Sequence, residues 1–241
     1  MNPDPKAFSS LSFNRLVISQ NQRGLKVEEK GFRFLSFDEK GLSKSRNRGL
    51  EAAEGDIIII ADDDLEYCEG FQAKIKNAFI QNPDADGITF RVITPKGEAY
   101  KSYSEKSFKH NRKSIYNVSS VEMAFRLKSI RKHRIIFDND FGLGAKFKSG
   151  EETIFLNDAL DKGMNIYFVP EDIVIHPLES SGKVLDQDFF FSKGALIKRM
   201  YKGSAYMGLG ILFLIKQIFK SQNRLTLAAS IKAIQRGFQA V

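Results

Sequence analysis

Asp56-Ile-Ile-Ile-Ile-Ala-Asp62-Asp63-Asp64 is the stretch on which the reading of the fold turns. Four consecutive isoleucines without polar alternation predict a strand covered on both faces, so residues 56–61 are the best candidate for the central strand of an α/β sheet. Three carboxylates follow immediately. Ligands of open α/β sheets bind beyond the carboxyl ends of the strands, and that is where Asp62, Asp63 and Asp64 fall. Clustered carboxylates raise one another's proton affinity unless a cation neutralises them, so the triplet suits Mg²⁺ or Mn²⁺ with phosphate oxygens completing the shell. The plainer reading, a solvated acidic turn, is disfavoured because such turns rarely follow a fully buried strand.

Outward from this segment, short β-rich runs alternate with helical periods, the pattern of an α/β domain with a largely parallel sheet. Strands are expected at 15–20, 31–37, 87–94, 118–125, 165–169 and 173–176, and helices at 43–53, 69–81 and 151–161, with a short helical turn at 128–133. Residues 95–117 are polar and basic without a clear period and read as an exposed loop or short hairpin, while 137–150 form a glycine-rich loop. Helices at 188–201, 205–220 and 225–239 close the chain. No internal repeat or Pro/Gly/Ser linker interrupts it, so residues 1–185 read as one catalytic-type domain and 186–241 as a helical C-terminal region.

Two further segments carry candidate chemistry. In GLSKSRNRGL, residues 41–50, Ser43 is a plausible helix N-cap, yet Lys44, Arg46 and Arg48 then oppose the helix dipole. A bound anion would remove that conflict, with Arg46 pairing with phosphate and Asn47 with a nucleotide; cations splayed into water explain the segment equally well. Ser149-Gly150-Glu151-Glu152 has the spacing of a capping box, in which Glu152 reaches back to a backbone N–H. Against that, Glu152 shares a helix face with Leu156 and Ala159, which would aim its carboxylate inward, where a desolvated base is useful. His176, ending IVIHP, reads either as a metal ligand or as a hydrogen-bonded core residue.

Composition narrows the partners. Lys and Arg number 37 against 29 Asp and Glu, a formal charge of +8 that favours anionic ligands. The aromatics are not interleaved with Lys and Arg, so no nucleic-acid platform is expected. The single cysteine, Cys68, forms no internal disulfide and suits a reducing compartment. Residues 1–14 lack the apolar core of a signal peptide, so a cytoplasmic location is expected. The longest apolar run, 205–215, is shorter than the roughly 18–20 residues a spanning helix needs. Followed by Lys216, Lys220 and Arg224, it reads either as peripheral contact with the inner face of the plasma membrane or as a packing face. The oligomeric state stays open.

Taken in order, Gly41-Leu-Ser-Lys-Ser-Arg46-Asn47, Gly55-Asp-Ile-Ile-Ile-Ile-Ala-Asp62-Asp63-Asp64 and Gly150-Glu151-Glu152-Thr153 resemble the family 2 glycosyltransferases of GT-A fold, over about residues 15–180. The resemblance implies a Rossmann-like α/β fold, a mostly parallel mixed sheet flanked by helices, here with a helical C-terminal appendage. It implies an inverting, cation-dependent transfer of sugar from a nucleotide-diphosphate sugar, commonly a UDP-sugar, to a glycan or lipid-linked acceptor hydroxyl in bacterial surface-polysaccharide synthesis. Carried over by position, Asp62 contacts the nucleoside and borders the metal, Asp64 holds the metal and Asp63 assists one or the other. Arg46 and Asn47 face the nucleotide. Glu152 takes the general-base position, Glu151 helps bind the acceptor, and His176 matches a histidine that in some relatives reaches the metal or the diphosphate.

Two departures from the family pattern stand out. Its acidic pair usually ends in Asp, where this chain has Glu152. Its members also usually place an apolar strand, a Thr/Ser-rich loop that grips the nucleobase and a helix before the strand that resembles residues 15–20. That piece would occupy the middle of the sheet, between the strands at 15–20 and 56–61. The expectation is therefore an N-terminally shortened member with unpaired strand edges, and the alternative function is a catalytically silent relative acting as a binding or scaffold subunit.

Overall fold

The structure is a computed structural model that describes residues 13–20, 24–177, 185–201, 208, 212 and 225–241. Its first sheet contains β1 (Arg15–Gln20), β2 (Lys26–Glu29) and β3 (Phe32–Phe37) in the order β1-β3-β2. Along β3 the alternating residues Phe32, Phe34 and Ser36 are buried, the period of a strand with one covered face. The hairpin strand β2, KVEE, has no apolar alternation and was not expected from the sequence.

The second sheet holds β4 (Ile57–Ile59), β5 (Glu66–Tyr67), β6 (Gly87–Ile93), β7 (Phe108–Lys109), β8 (Met123–Arg126) and β9 (Ile166–Ile175). Its order is β4-β8-β6-β9-β5, with β7 also paired to β9. Among these strands, parallel pairing is confined to β1–β3 and β6–β9; the remaining strand pairs are antiparallel. Helices α1 (Leu42–Ala52), α2 (Phe71–Gln81), α3 (Leu127–His133), α4 (Glu151–Asp161), α5 (Gln187–Met200) and α6 (Leu227–Gln239) complete the described elements.

The core lies on both faces of the second sheet. One cluster joins Met123 and Phe125 of β8 to Ile154 and Phe155 of α4 and Leu196 of α5; the other joins Ile88, Phe90 and Val92 of β6 to Phe71, Ile75 and Phe79 of α2. Phe155 stacks on Phe137 at 4.3 Å and meets Phe125 edge-on at 5.3 Å, and each such fully buried ring contributes about 1.5–3 kcal/mol. Where β6 begins, a Cβ on Gly87 would sit 2.3 Å from the Phe125 ring, so only glycine fits beneath it.

Several expectations change here. The isoleucine strand is covered on both faces as read, with Ile58 and Ile60 in one cluster and Ile57 and Ile59 against the other. Among the described residues it is nevertheless an edge and not the centre: β4 pairs there only with β8, and the centre is β6 and β9. Two-sided coverage comes from helices and demands no second strand neighbour. Among the described residues no strand pairs with the outer edge of β1 or of β4.

The segments read as two strands at 165–169 and 173–176 form the single strand β9, whose Pro170 sits where the register with β6 shifts. Residues 120–122 form a 3₁₀ turn, so the strand expected at 118–125 shrinks to β8. The 95–117 stretch is less exposed than its composition suggested, because it contributes β7 and buries His110 and Ile115. The expected helix at 205–220 and the membrane contact at 205–224 fall almost wholly outside the described residues. No described helix is long and apolar enough to cross a membrane. At the C-terminal end α5 and α6 cross in close contact, since a Cβ on Gly194 would lie 2.2 Å from the Ile234 carbonyl and one on Gly237 2.0 Å from that of Phe191.

Candidate active site

The carboxyl ends of β4 and β9, the start of α1, the start of α4 and the turn before β8 all lie at one end of the second sheet. The loop from β3 enters α1 through Gly41, whose φ of +126° suits glycine. The Gln20 carboxamide brackets this glycine, donating to its carbonyl at 2.9 Å and accepting from its N–H at 3.2 Å. Ser43, expected as the N-cap, instead donates its hydroxyl to the Phe141 carbonyl at 2.6 Å. That bond ties α1 to the glycine-rich loop.

The same loop presses on α4. Gly142 has a φ of +106°, and a Cβ there would lie 3.1 Å from Ser43 Oγ and 3.2 Å from Glu151 Cδ. Gly150, φ +109°, caps α4 without any side-chain bond, so the capping box expected from Ser149 to Glu152 does not form. A glycine in the left-handed region turns the chain too sharply for Ser149 to reach the helix N–H groups. Glu152 is therefore not spent on a capping box.

Glu151 is buried, and Arg46 Nη1 donates to its Oε1 at 3.2 Å. Burial, and then the negative charge of Glu152, push the Glu151 carboxyl up to about 7 against the opposing pull of Arg46. Glu152 beside it is half-buried. From its other nitrogen, Arg46 Nη2 donates to Asp62 Oδ1 at 3.2 Å and to Ser120 Oγ at 2.7 Å. Two of the three cations that opposed the α1 dipole meet carboxylates of the protein itself: Arg46 meets Asp62 and Glu151, and Arg48 meets Glu39 and Glu51.

Asn47 stands apart from this cluster. Its Nδ2 donates to the Phe137 carbonyl at 2.8 Å and its Oδ1 accepts from the Phe137 N–H at 2.8 Å. The carboxamide mimics a strand partner for that peptide, so Asn47 anchors the loop that carries Phe137.

Asp63 and Asp64 are exposed at the end of the Ile-rich segment. His176 follows β9, and its Nδ1 lies 2.7 Å from the Pro177 carbonyl. A carbonyl only accepts, so Nδ1 carries the proton and Nε2 presents a lone pair when the ring is neutral. Nε2 points at Asp64 Oδ1 from 3.8 Å, too far for a hydrogen bond and suited to a cation between them. Tyr100 meets the imidazole edge-on at 5.5 Å. Among the described residues no three His, Cys, Asp or Glu side chains come together as a metal site. A divalent ion fits here only if Asp64 and His176 supply the protein ligands and a bound phosphate and water supply the rest.

Two residues of this end escaped the sequence reading. Ser120, buried, accepts from Arg46, and Glu122, two positions on, is buried with its Oε1 accepting from Tyr103 Oη at 3.0 Å and Lys101 Nζ at 2.5 Å. Burial raises the Glu122 carboxyl while Lys101 opposes the rise. Both sit in a 3₁₀ turn without periodicity, so no pattern announced them.

Comparison with known proteins gives the family and the fold. Residues 18–145 match a family model described as glycosyl transferase family 2, a span that contains Arg46 and the aspartates and stops short of Glu151. The structure of S. aureus TarS 1–349 in complex with UDP-GlcNAc superposes with a TM-score of 0.63 at 19% identity, covering 88% of this chain and 65% of that one. TarS 1–349 in complex with UDP gives 0.60 at 18% identity, covering 88% and 64%. TarS itself gives 0.58 at 18% identity, covering 87% and 39%. The chain thus spans slightly less than two thirds of the first of these, and the likeness establishes the fold. No curated protein sequence matches it.

Proposed function

Because the chain belongs to glycosyl transferase family 2, we propose that it is an inverting glycosyltransferase that moves a sugar from a UDP-sugar to a hydroxyl of a glycan or lipid-linked acceptor, with a divalent cation, in surface-polysaccharide synthesis. The observation that carries the reading is the convergence of Asp62, Asp64, Glu151 and His176, from three separate segments, on one end of the sheet. The UDP and UDP-GlcNAc bound by the TarS structures favour a uridine nucleotide.

In this reading Asp62 meets the nucleoside, and Asp64 with His176 holds the cation, Asp63 lying alongside. The cation, when bound, offsets charge developing on the leaving diphosphate. Glu152 takes the acceptor hydroxyl proton as the acceptor oxygen bonds to the anomeric carbon and the bond from that carbon to the diphosphate breaks. Glu151, driven toward neutrality by burial, donates or accepts a hydrogen bond at the acceptor hydroxyl and keeps a second full charge off the pair. Arg46 stands between the two sets of carboxylates.

The edges of β1 and β4, which no strand among the described residues pairs, favour a second reading, a catalytically silent relative that serves as a binding or scaffold subunit. UDP release from a panel of UDP-sugars in Mn²⁺, beside Glu152→Gln, separates the two. Release that depends on Glu152 supports the enzyme. A folded chain that binds UDP and releases none from any donor supports the silent subunit.

A further inference from the structure

One guanidinium serves carboxylates on both sides of this site. The Arg46 and Glu151 side chains are 8% and 6% exposed, whereas Asp62 keeps 39% and so meets both the buried cation and an incoming ligand. Ser120 accepts a third bond at 2.7 Å, and the Phe137 ring lies 5.4 Å from the guanidinium carbon, which together set the plane of the fork. Among the described residues the remaining Nε is buried without a partner, and the hydrogen bonds of the side chain go to Asp62, Ser120 and Glu151. Lysine, a point charge on a flexible stem, does not reproduce a planar fork that reaches two acids at once.

We infer that Arg46 is a positioning residue that couples the two halves of the site, holding Asp62 on the sugar-donor side and Glu151 on the acceptor side; the inference rests on the glycosyltransferase reading. A ligand that engages Asp62 changes how much of the Arg46 charge Glu151 feels, and any change at Glu151 returns to Asp62 by the same factor. The coupling needs no long pathway, because both contacts are direct.

The test is a double-mutant cycle read by calorimetric titration of UDP, in Mn²⁺, into the full chain. Glu151→Gln should change UDP affinity about threefold or more when Arg46 is present, and by less than about 1.5-fold in the Arg46→Met background. Arg46→Lys should also lose most of the effect. It replaces Arg46→Met in the cycle if circular dichroism shows that variant unfolded. The same factor for Glu151→Gln in every background, no change included, overturns the inference while leaving the enzyme reading intact. Absence of UDP binding by the folded wild-type chain overturns both.

Discussion

His176 directs Nε2 toward Asp64 Oδ1 across 3.8 Å, with the opposite ring nitrogen tied to the Pro177 carbonyl at 2.7 Å. The carbonyl fixes both tautomer and ring orientation, so the imidazole faces the aspartate as a ligand-ready pair. His176→Ala should therefore weaken the Mn²⁺ dependence of UDP binding by about tenfold or more. Mn²⁺ titrations at fixed UDP check this, and an unchanged Mn²⁺ midpoint contradicts the role given to His176.

Two buried groups make stability depend on pH with opposite signs. Glu151 is held up at about 7 from an ordinary 4.5, so the unfolded chain ionises first and the fold loses stability as pH rises between those values. His110 is pushed down to about 4 from 6.5 by burial and then by Lys101, so the fold loses stability as pH falls from 6.5 toward 4. Its ring lies between Thr89 Oγ1 at 2.8 Å and Ser114 Oγ at 2.9 Å, contacts that satisfy it neutral. In the wild-type chain the two trends partly cancel. Denaturant midpoints from about pH 5 to 8 should show the advantage of Glu151→Gln over wild type growing with pH. A difference that is flat across that range contradicts the assignment.

Gly142 is where the glycine-rich loop leans on the acidic pair. Gly142→Ala adds a methyl 3.2 Å from Glu151 Cδ at a φ of +106°, which should cost about 1–2 kcal/mol of stability and displace the carboxylate. Acceptor turnover should fall by a larger factor than UDP affinity, which the displaced carboxylate reaches only through Arg46. Thermal unfolding and steady-state kinetics read the two effects separately. Equal loss of UDP affinity and turnover would place Gly142 elsewhere in the account.

Local chemistry was legible where it is written in consecutive residues. The isoleucine run announced two covered faces, and the aspartates follow it at the end of the sheet where Arg46, Glu151 and His176 also gather. What the run could not announce is strand order: coverage by α2 on one face and by α1 and α4 on the other looks the same at an edge as at the centre, so β4 was misplaced. Ser149 and Glu152 had correct capping-box spacing, yet Gly150 in the left-handed region took the cap position. Asn47 illustrates a further limit on local reading, because its partner Phe137 lies 90 residues away and a carboxamide binds a peptide as readily as a nucleotide. Ser120 joins the site through a 3₁₀ turn, which carries neither the helical nor the strand period.

The most direct measurement is calorimetric titration of UDP into the wild-type chain with and without Mn²⁺, beside Asp64→Ala. The account predicts saturable binding that requires Mn²⁺ and is lost in Asp64→Ala. Failure of the folded wild-type chain to bind UDP at any Mn²⁺ concentration, or equal binding by Asp64→Ala, would contradict it.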